Sequence, residues 1–229
     1  YHSFCAKMLR KYSQLIGIQS DYTIIDPGDC ADIISIIETE HGMDKVKDFP
    51  RSSQLVSAHS KALNTNQSLE DTLFDMFGKW KYMEIERFIP DIKKILADYQ
   101  SYKKQNNMMD YDDLLINFIS VLKRNPSIKN KLADIYQYIM IDEYQDSNYL
   151  QEKIIFMLRE KNRNLAVVGD DYQCIYGFRG SMVENIINFP QKMSGCKVVY
   201  LTQNYRSNQE IMDLSNIVMK KHSLEGFFK

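Results

Sequence analysis

Long apolar runs are missing from this sequence. No stretch approaches the ~18 apolar residues that a membrane-spanning helix needs, which excludes a helical span, and no membrane partner is expected. Cysteine is sparse and unpatterned: Cys5, Cys30, Cys174 and Cys196 include no C-x-x-C pair. The only histidines are His2, His41, His59 and His222, so no zinc-ligand spacing exists. Four thiols could form two disulfides, but a large chain without a secretory leader favours reduced thiols and a cytoplasmic setting. Repeats, low-complexity segments and flexible linkers are absent. Net charge is also lacking, at −1. That excludes a general basic coat, so any nucleic-acid site must be a local groove with stacking side chains. The chain opens on Tyr1, without an initiator Met or signal sequence, and is expected to be an excised piece of a longer protein. One further absence bears on chemistry. The phosphate-cradling loop needs G-x-x-x-x-G-K-[ST]. Gly78-Lys79 is the only Gly-Lys pair, yet Trp80 follows it and Leu73 stands at the first glycine position.

What is present suits an α/β enzyme. A chain of 229 residues with 44% hydrophobic content has ample core for one large domain or two small ones. The second half alternates strand and helix. Ile135 to Ile141 reads as a buried strand, Asn148 to Glu160 as a helix, and Leu165 to Val168 as a short strand ended by Gly169. Met182 to Phe189 reads as a helix stopped by Pro190, Lys197 to Leu201 as a strand, and Asn208 to Lys221 as a helix. Strands joined by crossover helices imply parallel pairing, with ligands outside the carboxyl ends of the strands. The first half reads as helical. Asp26-Pro27 is an N-cap followed by Pro at the first helical position. Ser68 with Asp71 resembles a capping box. A helical pattern runs from Leu69 to about Asn107, and Pro90 is expected to break or kink it. The layout expected is an α/β domain from residues 1–28 and 108–229, with a helical insert over 29–107.

Four segments carry chemistry. Asp142-Glu143-Tyr144-Gln145-Asp146 puts two adjacent carboxylates at a strand end, where Asp142 can hold Mg²⁺ and Glu143 can orient an attacking water. The plainer reading is an acidic cluster serving the next helix dipole. In Gly169-Asp170-Asp171-Tyr172-Gln173 the amide of Gln173 lies where it can sense a γ-phosphate. Tyr176 and Phe178 flank Gly177, with Arg179 next. Rings beside a cation suit single-stranded bases, each stack being worth ~1–3 kcal/mol without sequence preference. The alternative is that both rings are core. Gln203-Asn204-Tyr205-Arg206-Ser207 offers Arg206 for a transferring phosphate and Tyr205 for an adenine, or simply a helix-capping turn. Asp110-Tyr111-Asp112-Asp113 reads as a helix start with acidic first-turn charges, and Tyr111 alone is weak evidence.

These motifs resemble those of the UvrD/Rep/PcrA group of superfamily 1 DNA helicases, over most of the chain. Asp142 to Asn148 is similar to that family's Walker B motif, D-E-x-Q-D-[ST]-N. Val167 to Ser181 resembles its motif III and Leu201 to Ser207 its motif IV. Asp110 to Leu115 resembles its D-F-x-D-L-[IL] segment, and Tyr1 to Phe4 its T-F-H-S-F segment. Tyr172 stands where the family usually has Asp, Cys174 where it usually has Ser, and Phe178 where some members have Trp. The resemblance implies an incomplete RecA-like (P-loop NTPase-type) parallel-sheet domain with a helical inserted subdomain, ATP and Mg²⁺ as cofactors, and single-stranded and duplex DNA as partners. It implies Asp142 as the Mg²⁺ ligand, Glu143 as the base, Gln173 and Arg206 on the γ-phosphate, and Tyr205 on the adenine. It implies Tyr111, Tyr176 and Phe178 stacking on bases with Arg179 in support, and His2 at the DNA backbone. The expectation is a piece of a 3′-to-5′ helicase acting in repair or recombination, inactive by itself without the phosphate loop and second motor domain. A helicase–nuclease subunit of the RecB/AddA kind, with nuclease or repair partners, or an ATP-independent DNA-binding module, are the alternatives. Weak stability or self-association is also expected, because a missing strand uncovers part of the sheet.

Overall fold

A computed structural model describes residues 1–161, 164–177 and 183–224, the last four of these through their backbone. Helices dominate. In chain order they are α1 (His2–Tyr12), α2 (Pro27–Glu40), α3 (Ser52–Thr65), α4 (Leu69–Ile85), α5 (Ile89–Gln105), α6 (Tyr111–Arg124) and α7 (Pro126–Ile135). There follow α8 (Tyr149–Arg159), the single turns α9 (Glu184–Ile187) and α10 (Phe189–Lys192), and α11 (Gln209–Leu224). Two short parallel ribbons accompany them. β1 (Thr23–Ile24) pairs with β2 (Met108–Met109), and β3 (Ile139–Ile141) pairs with β4 (Leu165–Val167). No helix among the described residues is long and apolar enough to cross a membrane.

Local chemistry explains most helix starts. Asp26 caps α2, its carboxylate accepting the N–H groups of Gly28 and Asp29, while Asp29 reaches back to the Asp26 N–H. Pro27 sits in the first turn, where its missing donor is no loss. Asp110 caps α6 with Asp113, and Asn148 caps α8 with Gln151, by the same reciprocal pattern. Ser68 accepts the Asp71 N–H at the start of α4.

Side chains then sort into three apolar clusters. The first joins α1, α6, α7 and α8 around Leu9, Leu115, Phe118 and Ile154. The second joins α2 to α5 around Ile34, Leu55, Leu73, Ile92 and Ile95. A third and smaller one gathers Tyr144, Ile155, Phe189 and Met193 under β3 and β4. The carboxylate- and amide-bearing residues after β3 ride on that small cluster.

Several expectations need correction. The strand expected over Ile135–Ile141 begins only at Ile139, because Pro126 starts a helix that runs through Ile135. It is also covered on one face only: Met140 is 80% exposed while Ile139 and Ile141 turn inward. Residues 197–201 form no strand among the described residues. Tyr200 and Leu201 stand 82% and 84% exposed, and no described strand pairs with them. The helical run is interrupted just ahead of Pro90, as expected: α4 ends at Ile85, a 3-10 turn spans Glu86–Phe88, and Pro90 lies in the first turn of α5. A second kink, not expected, is Gly78, at φ 71° and ψ 165°, a conformation open in practice to glycine alone. Pro190, expected as a stop, likewise lies in the first turn of α10.

Candidate functional site

The loop after β3 is where the acidic motif meets the glycine-ended strand. The ladder continues past the paired strands: the Val168 N–H donates to the Ile141 carbonyl at 2.8 Å and the Tyr144 N–H to the Val168 carbonyl at 2.9 Å. These two bonds lay residues 142–145 directly against residues 168–170. Glu143 adopts the left-handed region, φ 51° and ψ 46°, which costs a non-glycine residue about 1–2 kcal/mol. Strain of this kind persists only where surroundings over-determine it. Here the surroundings are clear. The Glu143 N–H donates to Asp142 Oδ1 at 3.0 Å, and Gln145 Nε2 donates to Glu143 Oε2 at 2.7 Å.

Gln145 is the hub. It is buried, and its other amide atom, Oε1, accepts the Asp170 N–H at 3.1 Å. Asp170 Oδ2 in turn accepts from Gln173 Nε2 at 2.8 Å. A continuous chain of hydrogen bonds therefore runs Glu143–Gln145–Asp170–Gln173. Gly169 permits the close approach: a Cβ there would stand 2.5 Å from Gln145 Oε1 and 2.6 Å from Ile186 Cδ1. The back of the loop is anchored too. The Tyr144 hydroxyl donates to Glu152 on α8, Asn185 Nδ2 donates to the Ser147 carbonyl, and Lys192 Nζ donates to both carboxylate oxygens of Glu152. Burial, then the Glu152 carboxylate, pushes the Tyr144 phenol far above its ordinary pKa.

Asp142, Glu143 and Gln173 remain exposed on this rigid base. Asp146 presents a buried Oδ1 with no hydrogen-bond partner, and burial followed by the Glu143 charge raises its pKa. The residues present offer carboxylate oxygens of the kind Mg²⁺ takes, although among the described residues no group of three or more candidate ligands gathers round one point. They do not supply the main anchor of a triphosphate, since no G-x-x-x-x-G-K-[ST] loop occurs in the sequence.

Other expected site residues divide. His2 and Tyr111 come together, their rings edge to face at 5.5 Å, with Tyr111 45% exposed at the first position of α6. Burial lowers the His2 pKa below its ordinary value. Tyr176 is 38% exposed. Phe178 and Arg179 lie outside the described residues. Tyr205 is 92% exposed, and Arg206 makes no ion pair among the described residues. Its backbone N–H and that of Ser207 donate to Asn204 Oδ1 in a turn ahead of α11, while Asn208, not Ser207, caps the helix by accepting the Ile211 N–H. The structure therefore joins the acidic and glycine motifs directly, while among the described residues no hydrogen bond or ion pair is seen between them and the Arg206 segment.

Two participants are not singled out by sequence reasoning. Gln145 enters there only as part of a pattern, although an amide between two site carboxylates is the natural bridge. Asp170, which reads as part of a glycine-ended turn, is the acceptor that orients Gln173.

Comparison with known proteins agrees with this geometry. Residues 1–194 match the model of the UvrD/REP helicase N-terminal domain. The ATP-dependent DNA helicase PcrA of Staphylococcus epidermidis is 33% identical over 223 residues, 97% of this chain and 29% of the relative. PcrA of Staphylococcus aureus strain Mu50 is 32% identical over 223 residues, with the same shares covered. The chain thus covers less than a third of the length of these relatives. With a family match across most of its residues, the chain belongs to the UvrD/Rep helicase family.

Proposed function

We propose that this chain is part of the first motor domain of an ATP-dependent DNA helicase. The observation that carries the reading is the hydrogen-bonded chain from Glu143 through Gln145 and Asp170 to Gln173. It couples a candidate base to a candidate γ-phosphate sensor through one buried amide. Asp142 would hold Mg²⁺, which supplies charge neutralisation at the phosphates. Glu143, held in its strained conformation, accepts the proton of the attacking water. Gln173, pinned by Asp170, points its amide at the γ-phosphate, and any change there reaches Glu143 through Gln145. Arg206 and Tyr205 complete the site on the phosphate and the adenine once their segment is packed. Tyr111, Tyr176 and Phe178, supported by Arg179 and His2, line the track for single-stranded DNA. In this reading residues 1–28 and 108–229 make a partial RecA-like domain, and residues 29–107, whose core is the second apolar cluster, form the insert.

The parent would translocate 3′ to 5′ and unwind duplex in repair or recombination, in the cytoplasm. The chain by itself would not turn over ATP, because the triphosphate lacks its backbone cradle. The test uses Mg²⁺-dependent ATP hydrolysis. Full-length protein carrying Glu143→Gln is expected to lose about 10²–10⁴-fold in rate, the range of a positioned general base. The 229-residue chain is expected to show no turnover above background. Brisk hydrolysis by the chain that Glu143→Gln abolishes would refute the claim of inactivity. Full activity of the Glu143→Gln parent would refute the assignment of the base.

A further inference from the structure

The least expected group in the molecule is Lys103. It lies in the last turns of α5, and its side chain is only 2% exposed. Its ammonium is shared between Asp110, in a short contact, and Asp113 Oδ2 at 2.6 Å. Tyr99, one turn earlier on α5, donates its hydroxyl to the same Asp110 Oδ2 at 2.9 Å. From α3, Asn64 Nδ2 donates to Asp112 Oδ1 at 2.7 Å. The three carboxylates that surround Tyr111 in sequence are thus all held by helices of residues 52–105. Tyr111 itself is half exposed, its ring edge to face with His2.

Stability alone does not account for this arrangement. Taking an ammonium out of water costs several kcal/mol, and an apolar residue of equal volume often serves a core as well or better. Two carboxylates on one cation leave a surplus negative charge near Asp112. What the arrangement does provide is a unique geometry. A flexible four-carbon side chain ending in three donors locks two acceptors three residues apart, which fixes the first turn of α6 in position and rotation. Tyr111 occupies that turn.

We infer that Lys103 is a positioning residue, which sets the Tyr111 ring by clamping Asp110 and Asp113 from the neighbouring helix α5. Helices α3 and α5 thereby hold the candidate base-stacking ring. The functional half of the inference rests on reading Tyr111 as a base platform; the geometric half does not. Motion of α5 relative to α6 would move the ring, so Lys103 ties the helical segment to the DNA track.

The experiment uses the 229-residue chain with 3-fluorotyrosine incorporated, the Tyr111 fluorine resonance being assigned through Tyr111→Phe. Lys103→Met removes the clamp. Lys103→Met/Asp113→Asn removes it without stranding both carboxylates, and keeps a folded variant available, since Asn still accepts the Asp110 N–H. The Tyr111 resonance is expected to move toward that of solvent-exposed tyrosine in both variants, with the other resonances in place. Lys103→Arg, which keeps the cation, is expected to hold the resonance near its original position. An unmoved Tyr111 resonance in Lys103→Met/Asp113→Asn overturns the inference. A second arm measures binding of a fluorescein-labelled oligodeoxythymidine. Tyr111→Ala is expected to weaken binding about 5–100-fold, the loss of one base stack. The Lys103→Met/Asp113→Asn pair should weaken binding when Tyr111 is present, and have no further effect on a chain that already carries Tyr111→Ala. Equal weakening with and without the Tyr111→Ala change means that Lys103 acts on DNA without Tyr111, and overturns the inference. If binding is absent or indifferent to Tyr111→Ala, the base-platform reading fails, and the fluorine resonance alone decides whether Lys103 positions the ring.

Discussion

Helices α6 and α11 make an instructive pair. Each is four turns or so of chain with apolar residues at helical spacing. In α6, Leu114, Leu115, Phe118, Ile119, Val121 and Leu122 are all buried. In α11, Ile211, Leu214, Ile217 and Val218 are 46–66% exposed. Two strand-like segments differ in the same way. Ile139 and Ile141 face a core, whereas Val199, Tyr200 and Leu201 are 67–84% exposed. Periodicity states which face of an element wants cover. It does not state that the cover exists. Helix α6 meets its own demand for burial, and the segment after Cys196 does not.

The largest test of that difference is a pair of truncations. Phe118 is fully buried, edge to face with Phe4. Phe118→Ala is expected to cost about 3–5 kcal/mol by urea unfolding, from lost transfer and a residual cavity. Leu214→Ala should change stability by less than about 0.5 kcal/mol, as exposed positions do. Equal costs would mean that α11 is packed as firmly as α6, and would erase the contrast.

Gly169 sharpens the comparison from the site's side. The loop after β3 is tight only because residue 169 has no side chain. Gly169→Ala must displace both Gln145 and Ile186, and overpacking of this kind costs about 1–3 kcal/mol. Displacing Gln145 would also release Glu143 and Asp170 together. The expected signature is loss of stability with loss of ATP turnover in the parent; loss of neither would remove Gln145 as the hub.

How much of this is legible in the sequence depends on whether the information is local. Asp26-Pro27, Asn148 with Gln151, and Gly169 at a strand end act through neighbours in sequence, and the helix starts and the turn follow from them. Ile135 reads as strand because Tyr136, Tyr138 and Ile139 continue an apolar run, yet Pro126 has already opened a helix that ends there. Pro90 reads as a breaker, and the helical run is indeed interrupted over Glu86–Phe88 just ahead of it, while Gly78 carries a second kink that the sequence reading did not mark. The acidic pair is legible as a site, since strand-end carboxylates have few purely structural uses. Its wiring is not, because the bond from Gln145 to the Asp170 N–H spans 25 residues. Lys103 is the least legible of all: nothing in Lys103-Lys104 says which ammonium is buried between two carboxylates.

That buried cluster gives a pH prediction. Burial, then the neighbouring Asp110 charge, pushes the Asp113 carboxyl up to about 6, with Lys103 opposing. Its folded pKa therefore lies above the unfolded value, so the folded state binds more protons between about pH 4 and 6, and stability falls as pH rises through that window. Asp110 is depressed, and loses its contribution only at lower pH. His59, lowered chiefly by burial, gains stability as pH rises toward its ordinary range, and so opposes the trend. Asp112, also raised by burial, adds to it. The difference between parent and Asp113→Asn isolates the single group: the variant should lack a fall of roughly 2 kcal/mol across the window, read by urea unfolding at stepped pH. A difference that stays flat would show Asp113 to be normally ionised in the fold.

The smallest effect on stability carries the sharpest reading of the C-terminal segment. A sixteen-residue helix without tertiary cover is marginal in water, and four apolar side chains along it form a face that seeks a partner. Replacing Leu214 and Ile217 together by Ser removes the centre of that face. Because neither residue is buried, unfolding free energy should move by no more than about 0.5 kcal/mol. Association should respond instead: sedimentation at high concentration is expected to show self-association of the parent chain and a shift toward monomer in the double variant. The exposed apolar side chains of α11, with those of Val198 to Leu201, are then the reason, since uncovered apolar and strand-like segments invite pairing with a second copy. A parent chain that sediments as a clean monomer at every concentration would show that exposed periodicity here is tolerated rather than adhesive, and the contrast between α6 and α11 would be one of burial alone.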